Sequence, residues 1–553
     1  MAGAGGEDPK HTENWQTLPW KQFQRNVFRL QQRIYQAARR DDWQRIHNLQ
    51  RLLLRSWSAR CLAVRQVTQD NRGKRTPGVD GVASLTPKQR MALAQSLRNL
   101  SDWTVDPIRR SYIPKPGKSE KRGLGIPTMS DRAMQAIVKL ALEPEWEASF
   151  EPNSYGFRPG RSAHDAIEAI FKFISRKPKY VLETDIEKCF DCISHTALLT
   201  KLNTITPIRR LVRDWLKAGI VDGGELLFPE AGTPQGGVIS PLLANIALHG
   251  LEEALVQVAP RKPKVGVIRY ADDLVVIHPD LEVLTQLQES AEAWLAEIGV
   301  RLKPSKTRIT HTLELHEGQV GFDFLGFNIR QYRVGKHRTT VYREEPHFKT
   351  LIKPSKTAIS RHLHQIKGIV RQYRGAPQGA LIAALNPVIQ GWARYHRTGT
   401  AKRTFSKVDN QVYIKLRKWA YHRHKNRTRP WQYRRYWRKQ GNGRRFSDGT
   451  TRLCRHDDMP IIRHIKVRGD KSPYDGDWPY WVQRLGRDPT KPRRIVKLLE
   501  REKGHCIWCG LRFMAEDVME IHHRDGDRRN NRYANLVLLH AHCHDQLHSK
   551  GCQ

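Results

Sequence analysis

The sequence predicts an α+β chain of several domains, and three observations carry that expectation. Residues 265–277 read as two short strands rich in β-branched residues around a polar turn, with Asp272 and Asp273 at the tip. Helical spacing recurs on both sides of this region: Phe23, Val27, Leu30, Ile34 and Ala37 before it, and Ile359, Leu363, Ile366 and Val370 after it. From about residue 491 the chain becomes a compact Cys/His module.

Each region sits in a strongly basic chain. The 553 residues carry a formal charge of +41, from 96 Lys and Arg against 55 Asp and Glu. Self-repulsion on that scale is relieved by a polyanion, which makes a long nucleic acid the natural partner. No run of about 18 apolar residues is present, so no membrane span is expected. The start resembles neither a signal nor a transit peptide. Of eight cysteines only Cys506 and Cys509 stand at metal-ligand spacing, which favours a reducing, cytoplasmic setting.

Residues 1–13 read as disordered, and a helical stretch follows from Trp20 to about Val67. A Gly/Pro-punctuated loop at 70–82 precedes a mixed α/β region reaching about residue 330. Two adjacent carboxylates at a hairpin tip repel each other unless a divalent cation lies between them. That is the requirement of a site holding two Mg²⁺ for phosphoryl transfer, and it needs a further acid. Asp185 is the best candidate, at the end of the strand Tyr180–Thr184 where helix is expected to begin, with Phe190 on that helix; Glu187 and Asp191 compete. Lys115, Lys118, Lys121 and Arg122 lie in two strands joined by a basic hairpin and suit a triphosphate. Thr233-Pro-Gln-Gly-Gly237 allows close backbone approach to a ligand.

These segments together resemble a reverse transcriptase of the group II intron type. The resemblance rests on Arg122–Pro127, Asn153–Ser162, Asp185 with Phe190, Thr233–Asn245 and Tyr270–Asp273, extended by Lys303–Thr307 and Phe324–Phe327. It implies a right-hand polymerase with α/β fingers and palm and a helical thumb. By that resemblance Asp185 and Asp272 hold Mg²⁺ and Asp273 supports them. Phe190 rejects a 2′-hydroxyl, Gln235 contacts the nucleotide sugar region, Lys115 and Arg122 neutralise the triphosphate of a deoxynucleoside triphosphate, and Lys306 steadies the site.

Residues 417–446 contain twelve Lys or Arg and no acid, interleaved with aromatic rings. Cations neutralise phosphate while rings stack on unpaired bases. Arg417, Lys418, Arg423, Lys425, Trp431, Arg434, Arg435, Trp437 and Arg438 are therefore expected to contact nucleic acid. The resemblance makes 351–440 the thumb, or maturase domain, which binds intron RNA and aids splicing, and makes the stretch after it a DNA-binding region.

Cys506-x-x-Cys509 pairs with His540-x-x-Cys543 as a Cys₃His site for structural Zn²⁺, with His542 and Cys552 as rivals for the fourth position. Between the halves, Glu520-Ile-His-His523, Asn535, His544 and His548 resemble the HNH, or ββα-metal, endonuclease motif. The resemblance makes His523 the general base and makes His522, His544 and His548 ligands of a catalytic divalent ion, Mg²⁺ being expected. Asn535 shapes the loop. The family more often has an acid at His522 and Cys at His540.

The expected domains are an N-terminal helical extension (1–75), fingers and palm (76–350), thumb (351–440), DNA-binding region (441–490) and nuclease (491–553). The expected activity is that of a group II intron reverse transcriptase, maturase and endonuclease, which nicks target DNA and reverse transcribes its intron from the new end. A reverse transcriptase of another lineage, such as a retron, and a splicing-only maturase are the alternatives. The sequence leaves the oligomeric state, a homodimer included, open.

Overall fold

The computed structural model describes residues 14–550 apart from 101, 115–119, 336–346, 442, 470, 515 and 516. The disorder expected for 1–13, Lys115 and Lys118 of the basic hairpin, and Cys552 all lie outside the described residues.

The N-terminal periodicity resolves into three helices, Trp20–Ala38, Trp43–Arg55 and Trp57–Arg65. Asp42 and Ser56 begin the second and third by accepting backbone hydrogen bonds from Arg45 and Ala59. Val27, Ile34, Ile46, Leu53 and Ala59 share a core with Met134, Ile137 and Leu142 of helix Met129–Ser149.

Strand β1 (Ile108–Pro114) pairs antiparallel with β2 (Lys121–Ile126), so the expected basic hairpin exists. Strands β4 (Ile220–Asp222) and β5 (Glu225–Leu227) complete that sheet in the order β2-β1-β4-β5. A second sheet is built from β3 (Tyr180–Asp185), β6 (Gly266–Tyr270), β7 (Asp273–His278) and β8 (Arg308–His311), in the order β6-β7-β3-β8. Its strands are apolar on both faces because both are covered. Leu182, Leu274 and Val276 face the core that includes Leu284 and Leu287 of helix Leu281–Glu297, while Val181, Val275 and Ile277 face Ala166 and Ile170 of helix Ala163–Ile174.

Strands β9 (Phe322–Phe324), β10 (Phe327–Arg333) and β11 (Phe348–Pro354) form a third sheet. The boundary expected at 350/351 falls inside β11, whose whole length pairs with β10. Helices Lys356–Gln372, Gln378–His396 and Lys402–Arg423 follow, packed on Ile366, Leu381, Leu385, Ile389, Val412 and Leu416. The expected boundary at 440/441 also moves, because strands β12 (Trp437–Gln440) and β13 (Gly443–Phe446) are one hairpin seated on that helical core.

Residues 447–477 have little regular structure, as their Gly, Pro and Asp content suggests, and Val467 N–H donates to Asp165 at 2.7 Å. A helix, Trp478–Gly486, follows, started by Asp477, whose side chain accepts from Tyr480 N–H. The terminal module is β14 (Met519–His523) paired antiparallel with β15 (Leu536–His540), followed by helix Ala541–Lys550.

Candidate metal centres

The turn between β6 and β7 places Ala271 at φ 57° and projects Asp272 and Asp273 from the sheet's end. Asp185 is the register partner of Asp273 across β3 and β7. The backbone locks the two ends together: Ile186 N–H donates to the Asp272 carbonyl at 2.9 Å, and Lys303 N–H donates to that of Asp185 at 2.8 Å. Burial pushes the Asp273 carboxyl up to about 7, and the charges of Asp272 and Asp185 add to it. Asp272 is raised too, by burial first and then by the charge of Asp185. Negative charge is crowded here beyond what the nearby cations offset, which is the environment a divalent ion relieves.

One offsetting cation is Lys306, whose Nζ lies 2.9 Å from Asp185. It comes from the 3₁₀ turn Pro304–Lys306. Arg122 on β2 is near enough for its charge to act on Asp272. A cavity of about 260 Å³ opens beside Asp185 and Asp273 and is also lined by Thr184, Ser305, Lys306 and Asp323.

Phe190 does not sit on a helix directly continuing the strand, as expected. Lys188 turns in the left-handed region at φ 43°, and only the single turn Cys189–Cys192 follows. The competing acids are engaged elsewhere: Glu187 accepts from Arg301 at 2.7 Å, and Asp191 accepts from Gln235 Nε2 at 3.3 Å. Gln235 is tied to the first sheet by Gly125 N–H donating to its carbonyl at 2.7 Å. Gly236 lies against that strand so closely that a Cβ would fall 2.5 Å from the Gly125 oxygen.

In the terminal module Cys506, Cys509, His540 and Cys543 offer ligand atoms that all lie within 4.8 Å of one another. Zn–S bonds of about 2.3 Å in tetrahedral geometry need ligand separations of about 3.8 Å, so the set is of the right size and chemistry. His542, one rival, turns away and stacks on His540 at 5.1 Å. Asp517 lies 3.2 Å from His540 Nε2, leaving Nδ1 directed at Cys509 and Cys543. Sequence reading missed Asp517, because such carboxylate–histidine pairs have no fixed spacing.

A second group, His522, His544 and His548, gathers its ring nitrogens within 4.8 Å. His522 points from β14, while His544 and His548 are one turn apart on the helix. Burial lowers the His522 pKa, and the neighbouring histidines lower it further, which favours the neutral ligand form. Glu520, two residues before His522 and so on the same strand face, has a carboxylate oxygen 2.7 Å from His544 Nδ1. His523 Nε2 is buried with no hydrogen-bond partner. Asn535 holds the intervening loop: its amide donates to Asp525 at 2.8 Å and to the Asn530 carbonyl at 2.9 Å.

The basic-aromatic stretch divides in a way its sequence did not show. Trp419, Tyr436, Trp437 and Phe446 are buried in the helical core, so Trp437 is corrected from a stacking ring to a packing one. Arg423 lies over Trp419 and donates to the carbonyls of Arg374 and Ala376, which ties it to the fold. Tyr421, Trp431 and Tyr433 remain outside. A cleft of about 350 Å³ there is lined by Arg417, Lys418, Tyr421, Arg429 and Tyr433 over the Trp437 edge. Lys425, Arg434, Arg435 and Arg438 are exposed nearby.

A paired-acid sheet end, a helical bundle with basic rings and a ββα histidine site define a polymerase joined to a metal nuclease. Comparison with known proteins agrees. Residues 113–329 match the reverse transcriptase (RNA-dependent DNA polymerase) family, 15–97 the N-terminal domain of reverse transcriptase, 359–437 the group II intron maturase-specific domain and 515–545 the HNH endonuclease family. The chain is 32% identical to Protein YkfC of Escherichia coli (strain K12) over 358 residues, 56% of this chain and 91% of that one. It is 32% identical to the group II intron-encoded protein LtrA of Lactococcus lactis subsp. cremoris over 227 residues, 40% of this chain and 38% of LtrA. Maturase-like protein 1 of Euglena gracilis is 26% identical over 390 residues, 69% of this chain and 77% of that one. The chain belongs to the group II intron reverse transcriptase/maturases, and it carries an HNH endonuclease domain. No described helix is long and apolar enough to cross a membrane.

Proposed function

We propose that this protein binds its intron RNA, aids its splicing, nicks a DNA strand with the HNH module, and reverse transcribes the intron from the new 3′-hydroxyl. The observation that carries the polymerase step is the Asp185–Asp273 register pair with Asp272 one residue away, held by Ile186 N–H on the Asp272 carbonyl. Asp185 and Asp272 would hold Mg²⁺, with Asp273 beside them; when bound, the ions lower the cost of the charge on attacking and leaving oxygens. The protein's own part is to position. Arg122 meets the triphosphate, Gln235 the sugar region, and Phe190 closes the space a 2′-hydroxyl would occupy. Lys306 holds Asp185 in place before the nucleotide arrives.

In the nuclease, His523 takes the proton of the attacking water at its unpartnered Nε2. His522, His544 and His548 would hold the divalent ion, and Asn535 keeps the loop between β14 and β15 in shape. Cys506, Cys509, His540 and Cys543 would hold Zn²⁺, which would fix the module's fold. Arg417, Lys418, Lys425, Arg434, Arg435 and Arg438 supply phosphate contacts, with Trp431 beside them. We place the fingers and palm through Pro354, the thumb from Ser355 to the end of the β12–β13 hairpin, the DNA-binding region from there to about residue 490, and the nuclease after it.

Asp272→Asn tests the polymerase assignment. Extension of a DNA primer on an RNA template should be abolished in the variant and in EDTA, while intron RNA affinity stays at the parental level. Undiminished extension by the variant would refute it.

A further inference from the structure

Residues 153–155 run along the edge of β6, with Tyr155 N–H donating to the Arg269 carbonyl at 2.9 Å and Arg269 N–H to that of Asn153 at 3.0 Å. The chain then crosses the catalytic turn at Gly156. A Cβ there would lie 2.3 Å from the Ala271 nitrogen, so only glycine allows the approach. Buried Asn245 fixes the crossing by donating to the Gly156 carbonyl at 2.8 Å, and Arg269 donates to Asn245 Oδ1 at 3.0 Å.

The next residue, Phe157, has φ 59°. A bulky aromatic in the left-handed region is a true outlier, kept only where the surroundings over-determine it. The consequence is that the ring is turned outward. Tyr155 and Arg158 on either side are 0% and 5% exposed, whereas Phe157 is 54% exposed. Core packing therefore does not account for the ring. It stands edge-on to Phe190, centroids 6.1 Å apart and planes at 81°. The Phe190 backbone is held separately, by Thr233 N–H donating to its carbonyl at 2.5 Å. Its side chain still has rotamers to choose from, and Phe157 stands against it.

We propose that Phe157 is a positioning residue for sugar discrimination, holding the Phe190 ring in the rotamer that excludes a ribose 2′-hydroxyl. The inference rests on the reading of Phe190 as the residue that meets the 2′-position. The strained Gly156–Phe157 elbow couples that wall to the catalytic turn, so the ring and the carboxylates keep one geometry.

The test is the ratio of kcat/KM for dCTP over CTP, on an RNA template with a DNA primer, for Phe157→Ala, Phe157→Tyr and Phe190→Val. The ratio is independent of how much of each preparation is folded. Phe157→Ala should lower it about tenfold or more, in the range one pocket contact contributes. Phe157→Tyr, which keeps the ring, should retain it, and primer–template affinity should be unchanged throughout. A parental ratio in Phe157→Ala beside a lowered ratio in Phe190→Val would overturn this role alone. Equal loss of both nucleotides with weakened primer–template binding would also overturn it, making the ring a nucleic-acid stacking surface. A parental ratio in Phe190→Val would remove the reading of Phe190 and this proposal with it.

Discussion

At the scale of single residues, charge crowding at the hairpin tip sets measurable behaviour. Asp273 is raised to about 7 by burial and then by Asp272 and Asp185, so its proton competes with a divalent ion. At limiting Mg²⁺, extension should fall as pH drops from 8 to 6, and added Mg²⁺ should restore it. The sign for stability follows from the same shift. An acid raised in the folded state adds stability below its unfolded pKa and loses it as pH rises through 7. Removing one neighbouring charge by Asp272→Asn should therefore raise the melting temperature of metal-free protein at pH 8, measured by calorimetry. Asp272 and Asp273 were legible in the sequence because two short apolar, β-branched runs break at a polar turn there. Phe157 was not, since a positive φ and an edge-on ring depend on Gly156 meeting Ala271, 115 positions along the chain.

At the scale of elements, two devices hold functional segments in place. Arg158 and Glu147 make a pair at 2.9 Å with both side chains 1% exposed, and Arg158 also donates to the carbonyls of Glu151 and Ser154. This fixes the segment that presents Gly156 and Phe157. Glu147→Gln strands a buried guanidinium and should cost about 3–5 kcal/mol in urea denaturation. In the ββα module, Asp517 orients His540 from outside the ligand set. Asp517→Asn should weaken Zn²⁺ affinity about 10- to 100-fold in competition with a chelator. The Cys₃His spacing was plain from sequence, whereas the split of aromatic rings between core and surface was not. Trp437 and Tyr433 lie four residues apart in one basic run, and only the hairpin's seat on the helical core buries the first.

At the scale of the molecule, the 460–486 stretch is tied to the palm by several contacts, Tyr474 donating to Glu143 at 2.9 Å among them, and the most heavily bonded of them is the buried acid Asp165. Burial works against ionised Asp165, yet His464 at 3.0 Å and Arg484 at 2.7 Å hold its carboxyl well below the usual range. Val467 N–H also donates to it at 2.7 Å. A depressed carboxyl contributes stability above its unfolded pKa and loses it as pH falls. Amide exchange in 464–484 should thus rise in acid before the palm core opens, and Asp165→Asn should produce that opening at neutral pH. Composition, with a net charge of +41, pointed to a polyanion as partner, but no period or motif marked Asp165 as a partner of the 464–484 stretch.

We propose that one chain makes the primer end and then extends it. The most direct measurement uses the ribonucleoprotein reconstituted with its intron RNA on duplex target DNA, comparing the parental protein with His523→Ala. The variant should fail to nick and fail to synthesise cDNA on intact duplex, and a pre-nicked duplex should restore synthesis. Equal cDNA from His523→Ala on intact duplex, or no rescue by the nick, would show that the chain does not supply its own primer.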